Sequence, residues 1–166
     1  MFEIVHKTDP INYTMPPHTH DNIEIYLCLT ELPNVLLGSR MLPLSKDTLM
    51  VIPPNCIHKM VSTGKKYERY ILTVNAVWFK ELLGEAATEK YEHFFDPEHP
   101  RMTVLAREQR DHLIDRFKEL MVTEDVFVRY GIFFDIMERV QKEVGADRRS
   151  YAATNLTAPA HPRAEV

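Results

Sequence analysis

Breakers govern what the first half of this chain can become. From Ile23 to Val74 every apolar stretch is cut short by a proline, a glycine or a polar cluster. Ile23 to Thr30 alternates, with Ile23, Ile25, Leu27 and Leu29 on one side, which predicts a strand with one aliphatic face. "TELPN" predicts a turn. Val35–Leu37 and Arg40–Leu44 are short apolar pieces around Gly38, and "SKD" turns the chain again. Thr48–Ile52 is a continuous run suited to a strand buried on both faces. It must end at Pro53, because proline donates no ladder hydrogen bond. Tyr67 to Val74 is the next strand. Strands this short and closely spaced point to a mainly β sandwich or barrel.

The period changes near Asn75. "AVWFKELLGEAATEKY" predicts a short helix with Gly84 as its weak point, and "RMTVL" a return to the sheet. Two longer helices follow. The first is expected over 106–121, with a stripe of Leu113, Ile114, Phe117, Leu120 and Met121. Thr123 is placed to cap the second, with Glu124 and Asp125 at its positive end. That helix should run to about Val144 and stop near Gly145. At 100° per residue, Val126, Phe127, Tyr130, Phe133, Phe134, Met137, Val140 and Val144 form one broad stripe. Val128, Ile132 and Ile136 fall roughly opposite. A helix that only covers a sheet needs one apolar face. Two faces predict burial from two sides, by its own domain and by a partner, with Tyr130, Phe133, Phe134, Met137 and Val140 as the interface; the competing reading buries both patches within the monomer, with the first helix covering one.

The 166 residues suffice for one domain with a real core. Residues 1–100 are expected to form the β unit with an N-terminal arm and a short helix, and 101–145 a two-helix dimerisation element of the same domain. Residues 146–166, rich in alanine, proline and small polar groups, are expected to be a linker or disordered tail. No apolar run spans a bilayer and the start carries no signal-peptide pattern, so the expected location is the cytoplasm, with no membrane partner. Cys28 and Cys56 lack zinc-site spacing and read as reduced thiols. The net charge of −4 argues against direct DNA binding, which draws most of its affinity from phosphate neutralisation.

The chemistry lies in "HTHDNIE". His18, His20 and Glu24 share one parity, so on an extended strand they point the same way. Imidazoles and a carboxylate are ligand types for zinc, iron, manganese or nickel. His58, just after the Pro53–Asn55 turn, is the fourth candidate. Three imidazoles and one carboxylate would leave room for water or a ligand, as a working site requires. The competing reading is plain: a strand with its odd face buried and these polar residues in solvent. Tyr26, two residues beyond Glu24 on the same face, is the next pocket candidate.

Together these residues resemble the cupins. "HTHDNIE" fits H-x-H-x(3)-E. "DTLMVIPPNCIH" is similar to G-x(5)-P-x-G-x(2)-H, with Asp47 and Asn55 in the glycine positions. The glycine that usually follows the first motif is replaced near Glu31. The resemblance over about 11–74 implies a small double-stranded β-barrel, or jelly roll. Adding "EIYLCL", "YERYILTVNAVWFKELL" and the two C-terminal helices, residues 13–144 resemble the N-terminal sensor domain of AraC-type transcription regulators. That resemblance implies a small-molecule effector, often a sugar or related metabolite, and a homodimer through the last helix. DNA would be touched only through a domain absent from this chain, since no helix-turn-helix follows. His18, His20, Glu24 and His58 would then hold a divalent metal, bind an effector, or persist without a metal. The alternative is a stand-alone cupin metalloenzyme, a dioxygenase or isomerase. No nucleophile or catalytic residue is marked out.

Overall fold

Alternation along Asn22–Cys28 (β2) sends Ile23, Ile25 and Leu27 to one side and Glu24, Tyr26 and Cys28 to the other, and both sides are largely covered. In this computed structural model, residues 1–9, 15–61, 64 and 66–146 are described. The other strands are Phe2–Asp9 (β1), Leu32–Leu37 (β3), Arg40–Leu44 (β4), Thr48–Ile52 (β5), His58–Val61 (β6), Tyr67–Asn75 (β7) and Arg101–Val104 (β8). The helices are Ala76–Thr88 (α1), Arg107–Val122 (α2) and Val126–Ala146 (α3), with a 3-10 turn over Glu89–Phe94.

The strands make two antiparallel sheets. One has the order β1-β7-β2-β5-β8 and the other β4-β3-β6. They face one another as the two walls of the expected double-stranded fold. Among the described residues the hydrogen bonding does not close into a barrel: the sheets remain separate. β5 behaves as its apolar run predicts. Leu49 and Val51 enter one core, Met50 and Ile52 the other, and all are fully buried. "TELPN" is only partly a turn, because β3 begins at Leu32. A register shift between Leu32 and Val35 absorbs Pro33, which cannot donate to the ladder.

The two cores explain why β2 has no wet face. Between the sheets lie Tyr26, Cys28, Leu32, Val35, Leu37, Leu44, Met50, Ile52, Met60 and Tyr67. On the outer face of the larger sheet, Ile23, Ile25, Leu27, Leu72 and Val74 pack with Phe79, Phe94, Phe117 and Phe133 from the helical layer. The helices are therefore required by the sheet. Without them its aliphatic face would meet water at roughly 1.5–3 kcal/mol for each large side chain.

Local signals set the helix ends. Trp78 N–H donates to Asn75 Oδ1 at 2.8 Å, capping α1. Gly84, at φ 64°, breaks α1 where a weak point is expected. Thr123 acts differently from its predicted role. Its N–H and Oγ1 both donate to Glu119 O, closing α2, while Val128 N–H donates to Asp125 Oδ1 to cap α3. Arg129 then bridges the corner, its Nη1 donating to Leu120 O and Thr123 O.

α3 corrects the proposed interface. Phe133, Met137 and Val140 are 0–1% exposed within the chain's own core, as are Ile136 and Val144. The covered sheet face is broad and apolar, largely aliphatic with Tyr70 and Phe2 added, so it consumes most of the stripe. What reaches the surface is Val126, Phe127 (88% exposed), Val128 and Phe134 (42%), with Tyr130 partly covered by Phe2 and Trp78. Met121 and Val122, at the end of α2, extend this apolar surface. Of the expected linker or tail over 146–166, positions 147–166 lie outside the described residues. No described helix is long and apolar enough to cross a membrane.

Candidate functional site

Three backbone features bring the histidines together. The residues at the two motif positions usually held by glycine, Asp47 and Asn55, both adopt positive φ, 65° and 61°. Asparagine and aspartate tolerate this left-handed conformation better than most residues. The Asn55 turn reverses the chain after β5, and Asn55 N–H donates to His20 O at 2.7 Å. His18 and His58 then exchange reciprocal backbone hydrogen bonds of 3.2 and 3.0 Å, an isolated bridge outside the named strands. Asp47 has a further task. Its Oδ2 accepts from Arg110 Nη1 at 2.9 Å, tying the turn before β5 to α2. A glycine there could not do this.

His18, His20 and His58 each offer one ligand nitrogen, and these atoms lie within 4.8 Å of one another. The rings of His18 and His58 are 4.2 Å apart between centroids, and those of His20 and His58 4.9 Å. His58 is fully buried, while His18 and His20 are half-buried. Glu24 stands beside two of the three. Its Oε2 is 3.1 Å from His20 Nε2 and 3.5 Å from His58 Nε2. Tyr26, buried between the sheets, donates its hydroxyl to the same Oε2 at 2.9 Å.

The hydrogen bonds on the far side of each ring decide what this cluster can hold. Nδ1 of His18 meets Pro16 O at 3.2 Å, Nδ1 of His20 meets Asn22 O at 3.0 Å, and Nδ1 of His58 meets Cys56 O at 3.0 Å. A carbonyl only accepts, so each Nδ1 carries the hydrogen. In a neutral imidazole this leaves Nε2 as a bare acceptor, the tautomer a metal-binding histidine uses. The buried Nε2 atoms of His20 and His58 have no hydrogen-bond partner. They face a carboxylate, another acceptor. Such a set is satisfied by a positive charge at its centre, either a shared proton or a metal ion. Burial alone would raise the Glu24 carboxyl. With the shared proton on the imidazoles, His58 and His20 join the Tyr26 hydroxyl in outweighing burial and hold the group down to about 2.

Composition and spacing gave no sign of a second polar feature between the sheets. Arg69, on β7, is 3% exposed, and its Nη2 lies 2.6 Å from Asp9 Oδ2. The signal available was a cation of the same parity as its neighbours Tyr67 and Ile71 on β7. A surface cleft of about 570 Å³ lies elsewhere, lined by residues of α1, the 3-10 turn, β8 and α3, including Lys90, His93, Arg101 and Lys142. It shares no residue with the histidine cluster.

A family model described as the AraC-like ligand binding domain matches residues 3–130. This chain belongs to that family. The AraC-like domain is similar in fold to ToxT from Vibrio cholerae O395 bound to (E)-4-(8-methylnaphthalen-1-yl)but-3-enoic acid. There the TM-score is 0.54 at 7% identity, covering 86% of this chain and 57% of ToxT. It is likewise similar to unsaturated fatty acid-bound wild-type ToxT from Vibrio cholerae strain SCE256, with TM-score 0.50, 13% identity and coverage of 86% and 55%. A cupin 2 conserved barrel domain protein from Salinispora arenicola CNS-205 aligns at TM-score 0.40 and 19% identity, covering 46% of this chain and 65% of that one. The AraC-like domain thus spans less than two thirds of each of these chains. A sequence search of curated proteins returns no match.

Proposed function

We propose that this AraC-like domain is the sensor module of a transcription regulator. It binds a small-molecule effector between its two sheets and self-associates through the exposed apolar surface of α2 and α3. Family membership supports the ligand-binding role, and the ToxT neighbours carry small organic molecules. The observation that carries the reading is the inward-facing cluster. His20, His58, Glu24 and Tyr26 converge at one end of the space between the sheets, with bare imidazole nitrogens directed at a carboxylate. Ordinary strand decoration would put these groups in water.

His18, His20 and His58 fit one divalent ion of zinc, nickel, iron or manganese; Glu24, beside His20 and His58, would be its fourth ligand. When bound, the ion would supply Lewis acidity toward an oxygen-bearing effector. The chain's own residues do the rest. Three backbone carbonyls fix the imidazole tautomers, and Tyr26 holds Glu24 in place. The effector must favour one arrangement of the sheets and helices over another to act as a signal. The acidic chain would leave DNA contact to another part of the regulator.

Thermal denaturation against a panel of sugars and organic acids tests the sensor reading, because a ligand of the native state raises its stability. At least one compound class should raise Tm by several degrees at millimolar concentration. No response from any class would overturn the reading. The same ligand set favours a second reading, a metalloenzyme of dioxygenase or isomerase type. Turnover of a bound compound by the metal-loaded protein would support it over the sensor, which should return its effector unchanged.

A further inference from the structure

β1 is the outermost strand of the larger sheet, hydrogen-bonded to β7 alone. Hydrogen bonds in an antiparallel pair alternate, so every second residue turns both its N–H and its C=O away from the neighbour. Asn75 N–H donates to Met1 O at 2.8 Å, next to the Phe2–Val74 pair. The residues of β1 bonded to β7 are therefore Glu3, Val5, Lys7 and Asp9. The other side of β7 agrees. Leu29 N–H donates to Glu68 O at 2.9 Å, which turns Glu68 toward β2 and leaves Arg69 to bond Lys7. Phe2, Ile4, His6 and Thr8 thus point their backbone groups outward. Among the described residues no backbone group meets them there.

A row of open donors and acceptors is a template for a further strand. Glu3, Val5, His6, Lys7 and Thr8 are exposed along it. Lys7 alone would guard the edge, because a lysine there repels its own copy. Glu3, however, stands on the same face, as far before Val5 as Lys7 stands after it. A twofold axis at Val5 brings Phe2 opposite the partner's Thr8 and Ile4 opposite the partner's His6. These are the outward-pointing residues, so each pair exchanges two backbone hydrogen bonds. The same axis sets Glu3 opposite the partner's Lys7 in a non-hydrogen-bonded pair, where Cα atoms come within about 4.5 Å. Opposite charges stabilise such a pair and like charges oppose it. A slip of two residues sets Glu3 opposite the partner's Val5 or the partner's Asp9 and loses the charge pairing.

We propose that the free edge of β1 is an interaction surface for a second copy of this chain, paired antiparallel about Val5 so that the two large sheets join into one. The charge pattern selects the occupant. It is complementary to itself in the one register that also uses all the outward backbone groups. A two-stranded ribbon is marginal by itself, and one edge of eight residues falls short of the roughly 1,000 Å² that a stable interface buries. The edge is therefore a weak contact at micromolar concentration. It joins copies already paired through α2 and α3 into larger assemblies, because two different twofold contacts on one chain extend beyond a dimer. The inference goes beyond the sensor reading and does not depend on an effector.

The test isolates the edge by using Phe127→Glu/Phe134→Glu as the background, beside the wild type, in sedimentation from micromolar to millimolar concentration. The background should be monomeric at the low end and dimeric at the high end. The wild type should pass from dimer to larger species. Glu3→Lys and Lys7→Glu should each weaken the high-concentration contact about tenfold. An equimolar mixture of those two variants should regain it, since lysines then face glutamates in both pairs. Thr8→Pro should abolish it without unfolding β1, because the Thr8 N–H points away from β7. Circular dichroism confirms that each variant is folded. Amide exchange gives a second readout. The Ile4, His6 and Thr8 amides should exchange freely at micromolar concentration and become protected at millimolar, while Val5 and Lys7 stay protected throughout. No association of the background at millimolar concentration would overturn the proposal. So would single variants that associate unchanged, a mixture that does not regain the contact, or slow exchange of the Ile4, His6 and Thr8 amides at micromolar concentration. A wild type that is monomeric at micromolar concentration but meets these expectations would overturn the helical interface and leave the edge contact standing.

Discussion

Glu24 Oε2 and His20 Nε2 lie 3.1 Å apart, two acceptors facing one another because the His20 Nδ1 proton is committed to Asn22 O. That contact is favourable only with a cation between or on the two groups. Removing the carboxylate should therefore weaken cation binding more than it weakens the fold. Glu24→Gln is expected to lower zinc affinity by 10- to 100-fold while Tm changes by a few degrees at most. Competition with a chelating dye measures it.

In the metal-free protein the same carboxyl gives a pH dependence. Burial raises its pKa, but His58, His20 and Tyr26 hold it down to about 2 against an ordinary value of 4.5. A depressed carboxyl contributes stability that is fully present above 4.5 and is lost as pH falls toward 2. The loss should be on the order of 3 kcal/mol. Urea midpoints across that window should fall more steeply for the wild type than for Glu24→Gln.

The apolar surface left by α3 should mediate self-association. Phe127 and Phe134 are exposed, whereas Phe133 fills the helix–sheet core. Changing Phe127 and Phe134 together to glutamate should convert a dimer to a monomer in sedimentation at micromolar concentration. The cost in chain stability should stay within about 1 kcal/mol. Phe133→Ala should instead cost about 3–5 kcal/mol by leaving a cavity. A wild-type monomer at micromolar concentration would contradict the interface.

The turn after β5 holds an asparagine where the backbone is left-handed. Asn55, at φ 61°, is in a conformation that glycine adopts without penalty. Asn55→Gly should be neutral or stabilising by up to about 1 kcal/mol, offset in part by the entropy of the unfolded chain. Asp47→Gly should destabilise, because it also removes the partner of Arg110. Chemical denaturation separates the two.

Much of this was legible in the sequence because it is carried by local rules. Alternation in β2, the apolar run of β5, the stop at Pro53 and the break at Gly84 each depend on a few neighbouring residues. The histidine cluster was legible because both halves of it sit at fixed offsets from turns. What periodicity could not supply was the identity of the cover. The stripe of α3 shows that Phe133, Met137 and Val140 are buried, but not against what, and the answer is the chain's own sheet. The roles of Thr123 and Asp125 differ by a two-residue shift in where the α2–α3 corner falls, which propensity cannot resolve. The Asp9–Arg69 pair depends on strand register between β1 and β7, separated by some sixty residues.

The most direct test of the inward-facing site is the metal content of the protein purified without added metal and then reconstituted with zinc, nickel, iron or manganese. His58, fully buried and bonded through Nδ1 to Cys56 O, is the ligand whose loss should matter most. The wild type should retain close to one equivalent of one ion per chain after desalting, and His58→Ala under a tenth. Less than a tenth of an equivalent in the reconstituted wild type would contradict it.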